Sequence, residues 1–255
     1  LVDDVEQALG HGCTSIHACF DPVPNGEHWQ HFMHHMRSRQ IHAPMIFESF
    51  GLPDEAFLDR FADTFDGGII VISPETASEK VRKNVRGYFF SNAQLHRTLE
   101  RIGQLDLHAQ VFLGYLTPTE TLQGLYASRR WARELQSRYP KHVQVMHYPY
   151  STDPGSPLAR RPGRFGMRCD LRRPEDWERE MEKQEPWLGN LMRHEPADPG
   201  DENWRAVTLG VEMEQACLRE RPGMHARLLS RLGRGIDPFF TQVARQVLDC
   251  NDVDQ

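Results

Sequence analysis

Apolar residues in this chain fall into two alternating textures. Short runs dense in Ile, Val and Phe end in polar residues, and between them lie longer stretches whose apolar residues recur every three or four positions. The short runs are Ile16–Asp21, Pro44–Ser49, Gly68–Glu75, Ala109–Gly114 and Val143–Tyr150. Ile69 to Ser73 is almost continuously apolar, which suits a strand covered on both faces. The longer stretches read as helices. Residues 1–12 are stopped by Gly10 and Gly12, and Glu27–Arg39 carries Trp29, Phe32, Met33 and Met36 on one face. Asp54–Phe65 follows Pro53, Ser91-Asn92 caps residues 92–105, and Leu122–Tyr139 ends at Pro140. Strands and helices in strict alternation predict a parallel sheet with right-handed crossovers. The polar residues then gather where the strands end, the rim at which parallel α/β barrels bind their ligands.

The texture changes after Leu158. Residues 159–176 hold Arg160, Arg161, Arg164, Arg168, Arg172 and Arg173 and read as an extended loop. Helical patterns follow at 175–184, 202–220, 223–233 and 237–249, with a Pro- and Gly-bearing linker at Glu195–Glu202. The expected division is a barrel-like part, residues 1–160, and an arginine-rich loop with a helical C-terminal appendage, residues 161–255.

Charge and cysteine content narrow the function. Thirty basic and 36 acidic residues give a net charge of −6, which argues against a nucleic-acid-binding surface as the main feature. No apolar run approaches the roughly 18 residues that a membrane helix needs. The start at Leu1, without Met or a basic leader, reads as the interior of a longer protein. Five scattered cysteines, Cys13, Cys19, Cys169, Cys217 and Cys250, fit a reducing compartment such as the cytoplasm better than a disulfide framework.

Several constellations could carry chemistry. Ser73-Pro74-Glu75-Thr76 ends the most apolar strand and precedes a basic helix with Arg82 and Arg86. A Ser and a Glu there can bind hydroxyls or an ammonium, and a guanidinium can hold a carboxylate in two parallel bonds. The bland reading is a helix cap by Thr76 or Ser78. Gly114 would let a ligand approach the backbone, with Glu120-Thr121 following; an ordinary strand-to-helix turn explains the same residues. His28, His31, His34 and His35 share a helix opposite its apolar face and read as a solvated surface. Cys13 and Cys19, with five residues between them, lack zinc or iron–sulfur spacing and read as buried or half-buried thiols. No metal-ligand set is expected in this chain. Neither a phosphate-binding glycine loop nor a GxSxG elbow is present.

Four of these segments together resemble the radical-SAM superfamily. Ile72 to Tyr88 (ISPETASEKVRKNVRGY) resembles the "ES.s..vl....rg" segment after the fourth barrel strand. Val111 to Thr121 (VFLGYLTPTET) is similar to the family's "f..G.PgET" fifth strand, and Tyr148 to Leu158 (YPYSTDPGSPL) to its "yPgTpl" ending. Ile16 to Pro22 (IHACFDP) is similar to the second strand, where other members carry Gly-Gly-Glu. The subgroup resembled often carries a cobalamin-binding domain. The resemblance implies a partial (β/α)6 TIM-like barrel that binds S-adenosylmethionine through Asp21, Ser73, Glu75, Arg86, Gly114 and Glu120. It also implies a [4Fe–4S] cluster whose cysteine loop lies outside this chain, cobalamin as a further cofactor, and a reductant protein such as flavodoxin or ferredoxin. The substrate is not legible. Two rival expectations stand beside it: a cluster-less barrel acting as a binding or scaffold subunit, and an unrelated barrel enzyme using Asp21, Glu48 and Glu75 as acids and bases.

Overall fold

Strand and helix alternate in the folded chain as the apolar pattern predicts. A computed structural model describes residues 1–21, 26–85, 89–115, 117–150, 155–165, 167–169, 171, 173–182 and 194–196. Helix α1 (Val2–Gly10) leads into β1 (Ile16–Asp21), α2 (Glu27–Ser38), β2 (Met45–Ser49), α3 (Glu55–Thr64) and β3 (Ile69–Glu75). Helices α4 (Glu79–Val85) and α5 (Asn92–Gln104) precede β4 (His108–Tyr115), α6 (Leu122–Arg138) and β5 (Val143–Pro149). The five strands form one sheet in the order β1-β2-β3-β4-β5, every neighbouring pair parallel. This is an α/β sheet of the barrel type, and among the described residues it stays open, with β1 and β5 at its edges.

Local chemistry sets the helix starts. Asp54 accepts from the Phe57 N–H at 2.7 Å and Thr121 from the Gly124 N–H at 3.1 Å. Ser91 and Gln94 form a reciprocal capping box on α5. Gly12, at φ 93°, takes the left-handed conformation that ends α1.

One face of the sheet carries the helices. Met45 and Phe47, Ile70 and Ile72, Ala109, Val111 and Leu113, and Val143 and Val145 alternate toward it. They pack with Trp29, Phe32, Met33 and Met36 of α2, Phe57 and Phe61 of α3, Leu95, Leu99 and Ile102 of α5, and Trp131 and Leu135 of α6. Phe47 lies at the centre, its ring 4.9 Å from that of Trp29 and 4.8 Å from that of Phe57. His147 of β5 is buried on this sheet as well. The opposite face holds a small cluster of Ile46, Ile69 and Val71, with Phe112 against it.

The second part of the chain departs from expectation where it is described. The arginine-rich stretch is built of short elements rather than one loop: a helical turn α7 (Pro157–Arg160), a 3-10 turn (Pro162–Phe165) and a strand β6 (Met167–Cys169). Strand β6 pairs antiparallel with β7 (His194–Pro196), so the expected linker begins inside a strand. Helix α8 (Pro174–Glu182) matches the pattern at 175–184, and the three later helical patterns lie outside the described residues. Cys13 is exposed rather than buried, since it lies in the turn between α1 and β1 and not in the strand. The four histidines of α2 are exposed on the side away from its buried Trp, Phe and Met residues.

Burial makes His147 a pH-sensitive part of this core. Loss of solvent, reinforced by the charge of Arg129, pushes its pKa down to about 3. Because the unfolded imidazole titrates near ~6.5, the unfolded state binds the extra proton between those two values. Stability is therefore complete above about pH 6.5 and falls by roughly 1.4 kcal/mol per pH unit below it. Urea denaturation at pH 7 and pH 5 should differ by about 2 kcal/mol from this residue, and His147→Gln should flatten that difference. An unchanged pH slope in the variant would show that His147 is not the group responsible.

Candidate functional site

The end of β3 is bent, and the bend brings polar groups together. Ile72 pairs with Val111 but Glu75 with Leu113, so an irregularity lies between them. Glu75 sits at φ 66°, a conformation that a non-glycine residue adopts only where its surroundings hold it. Its carboxylate is buried and turned toward β4: a Cβ placed on Gly114 would lie 3.4 Å from Glu75 Oε2 and 3.0 Å from Thr117 Oγ1. Gly114 thus makes room for a carboxylate and a hydroxyl that close over it, and a larger residue there would press on both.

A buried guanidinium holds this corner. Arg82 of α4 is completely buried. Its Nε donates to the Pro74 carbonyl at 3.0 Å, Nη1 to the Phe90 carbonyl at 2.7 Å, and Nη2 to the Thr76 carbonyl and Asn92 Oδ1, each at 2.7 Å. The cation also faces the rings of Phe90 at 5.0 Å and Trp131 at 5.6 Å. Asn92 Nδ2 adds a bond to the Ala77 carbonyl at 3.0 Å. Ser78 caps α4 through the Val81 N–H at 3.3 Å, as the bland sequence reading holds. Arg82 therefore shapes the turn after β3 instead of facing a ligand carboxylate.

Hydroxyls line the next shell. The Thr76 hydroxyl accepts from the Ser78 N–H at 3.0 Å and lies 3.4 Å from Ser128 Oγ, which accepts from the Ala77 N–H at 3.0 Å. Glu120 approaches the same place from the β4–α6 connection. Desolvation raises its pKa above the ordinary carboxylate value. The Thr76 hydroxyl and the Thr121 N–H counter this, yet neither completes a hydrogen bond to its two buried oxygens. Thr117 Oγ1 is likewise buried without a partner. Orphaned buried acceptors of this kind are uncommon, and each calls for a donor.

The structure therefore brings Ser73, Glu75, Gly114 and Glu120 to one corner of the rim. Ser73 is half-buried within the bend. The backbone of Asp21 ends β1 beside Ser49, across the sheet from that corner. Arg86 lies outside the described residues. Glu48 is level with Val71 on the next strand, four residues before Glu75. Counted on β4, where Val71 pairs with Gln110 and Glu75 with Leu113, the two positions are three residues apart, roughly 10 Å of backbone. Sequence reasoning missed Thr117 and Ser128, since isolated hydroxyls carry no pattern. It also missed Gly124, although a glycine in the first turn of a long helix marks a close approach. A Cβ there would meet Glu120 Oε1 at 1.8 Å, so the glycine makes room for the carboxylate. As it stands, the corner is rich in acceptors: it can bind hydroxyls or an ammonium.

No protein-family model matches the chain, and no curated protein sequence does. Solved structures do. A radical S-adenosylmethionine methyltransferase, TsrM from Kitasatospora setae, with cobalamin and a [4Fe–4S] cluster bound, matches with a TM-score of 0.53 at 13% identity, over 67% of this chain and 36% of that one. A methylornithine synthase, PylB, matches with a TM-score of 0.46 at 16% identity, over 62% of this chain and 45% of that one. The chain thus spans about a third of the methyltransferase, and it shares the fold of that part of a radical-SAM enzyme.

Two substitutions test the corner. Arg82→Met removes a cation and leaves the Pro74, Thr76 and Phe90 carbonyls without that donor, which should cost roughly 3 kcal/mol or more. Thermal unfolding within one degree of wild type would contradict the role assigned to it. Gly124→Ala, ordinarily favourable in a helix by up to about 1 kcal/mol, should instead drive the Glu120 carboxylate out of its pocket. Its pKa should then fall toward the ordinary value near ~4.3, which carboxyl-carbon NMR titration would detect.

Proposed function

We propose that this chain is the rim-forming part of a radical-SAM enzyme and that the β3–β4 corner binds S-adenosylmethionine. The observation that carries the reading is the set of orphaned acceptors, both Glu120 oxygens and Thr117 Oγ1, close to the buried Glu75 carboxylate that packs over Gly114. Ribose hydroxyls and an amino-acid ammonium are the donors that such a corner lacks, and this cofactor carries both. The fold likeness to a radical-SAM methyltransferase supports the same assignment.

In this reading Ser73, Glu75 and Glu120 orient the cofactor through its hydroxyls and ammonium, and Gly114 leaves room for the Glu75 carboxylate and the Thr117 hydroxyl to take their places. Arg86, carried over from the resemblance, pairs with its carboxylate, and Asp21 closes the rim from β1. Arg82 keeps Glu75 in place by holding the turn behind it. The described residues hold no group of three or more His, Cys, Asp or Glu side chains suited to a metal ion, and Cys13 stands apart and exposed. They do not fit a [4Fe–4S] cluster, so its ligands would come from the rest of the protein. When bound, S-adenosylmethionine with its cluster supplies radical or, through cobalamin, methyl-transfer chemistry; the protein positions it and excludes water. A reductant such as flavodoxin or ferredoxin would feed electrons to the cluster.

Calorimetric titration of S-adenosylmethionine into the full-length, cluster-loaded protein tests the assignment. Glu75→Gln and Arg86→Ala should each weaken binding about tenfold or more, since hydrogen bonds to charged groups are worth roughly 1.5–3 kcal/mol. Arg172→Ala should leave it unchanged. No binding by wild type, or equal affinity in all four proteins, would sink the reading.

A further inference from the structure

The strand residues that face away from the helices form rows across the sheet. His17, Ile46, Ile69 and His108 share one row, and Glu48, Val71, Gln110 and Gln144 share the next toward the rim. In parallel α/β barrels this interior is filled by branched apolar side chains, because nothing polar is there to pair with. Here the second row is polar in three of its four positions. Gln110 and Gln144 are buried, and their mutual contact is one long bond, Nε2 to Oε1 at 3.4 Å. Glu48 is mostly buried, with its side chain 18% exposed, and faces His17 with Oε2 3.7 Å from Nε2. None of their polar atoms is sealed in without a partner, so groups that make only two long contacts with each other and with His17 keep hydrogen-bonding capacity open to the space over the sheet. A core-filling role therefore does not explain this row.

We propose that it recognises the substrate, and that the substrate carries a protonated amine, taken by Glu48, and an amide, taken by Gln110 and Gln144. The inference rests on the cofactor reading above, which puts the reactive group at the rim over this row. Glu48 presents one carboxylate, whose Oε2 already faces His17 Nε2 at 3.7 Å, and the single oxygen left over suits the point charge of an ammonium better than the two-pronged guanidinium. A carboxamide side chain both donates and accepts, as an amide does, so the glutamine pair complements an amide from either side. Strands lie about 4.8 Å apart, so Glu48 and Gln110, two strands apart, set the two recognition points roughly 10 Å from each other. An amine separated from an amide by a short aliphatic chain, as in an amino-acid amide or a peptide with a basic side chain, spans that distance.

The probe is 6-aminohexanamide, with heptanamide as the analogue that replaces the ammonium by a methyl group. Both are titrated by ligand-observed NMR into the full-length protein, wild type, Glu48→Gln and Gln110→Leu, alongside S-adenosylmethionine. Thermal unfolding of each variant checks that it folds. The expected result is binding of 6-aminohexanamide at least tenfold tighter than heptanamide, with that preference lost in Glu48→Gln and weakened binding of both amides in Gln110→Leu. S-adenosylmethionine affinity should be the same in all three proteins. Equal binding of the two amides by wild type, equal affinity of wild type and Glu48→Gln for the amine, or no binding of either probe would overturn the proposal. Selective amine binding without S-adenosylmethionine binding would uphold this row and overturn the cofactor reading instead.

Discussion

Arg82 is a full positive charge with no exposed surface, and the rim of the sheet is arranged around keeping it satisfied. An isolated cation in a protein interior is prohibitively unfavourable, so its environment must supply acceptors from several directions. Three backbone carbonyls and the Asn92 amide do so, drawn from the end of β3, the turn after it and the segment ahead of α5. Two aromatic faces complete the surround. The dependence is mutual. The carbonyls need the guanidinium as much as it needs them, and the left-handed Glu75 lies between two of the residues so held. A backbone conformation costing about 1–3 kcal/mol can persist there because its neighbours leave it no alternative.

The two faces of the sheet are under different constraints. Toward the helices, aromatic and aliphatic side chains interlock around Phe47, and burial alone accounts for their identity. His147 is the exception, and it stays neutral there at the expense of acid stability. On the other face, apolar contact is confined to Ile46, Ile69, Val71 and Phe112, and polar side chains occupy the rest of the rows described above. Packing determines the first face. The second retains hydrogen-bonding capacity in its row of Glu48, Gln110 and Gln144, and the β4–α6 connection at the rim does so through Glu120 and Thr117. Proteins keep such capacity where something binds.

The strand cores, their order and their parallel pairing were all legible in the alternation of apolar runs and amphipathic stretches. Period and turn chemistry are local properties, and Asp54, Ser91 and Thr121 cap helices where the residue types alone place them. The rim residues Ser73, Glu75, Gly114 and Glu120 could be picked out because they end strands or follow them. Thr117, Ser128 and Gly124 could not, since a lone hydroxyl or glycine acquires meaning only from what stands opposite it. Arg82 was misjudged for the same reason: a guanidinium on a basic helix looks like a ligand-binding group until its carbonyl partners are known. The exposed Cys13 and the short elements within the arginine-rich stretch show the same limit.

What the sequence by itself determined is the class of fold and the strand ends at which a site could form, because hydrophobic period and chain reversal depend on near neighbours. What only the tertiary structure decided is which polar groups meet. Glu75 approaches Gly114 and Thr117 through the bend between Ile72 and Glu75, and Glu120 reaches Thr76 across the β4–α6 connection. The row of Glu48, Gln110 and Gln144 exists only through the register of four strands. Those encounters join residues tens of positions apart, and their energies come from desolvation and from hydrogen bonds made or left unmade, quantities that no local pattern contains.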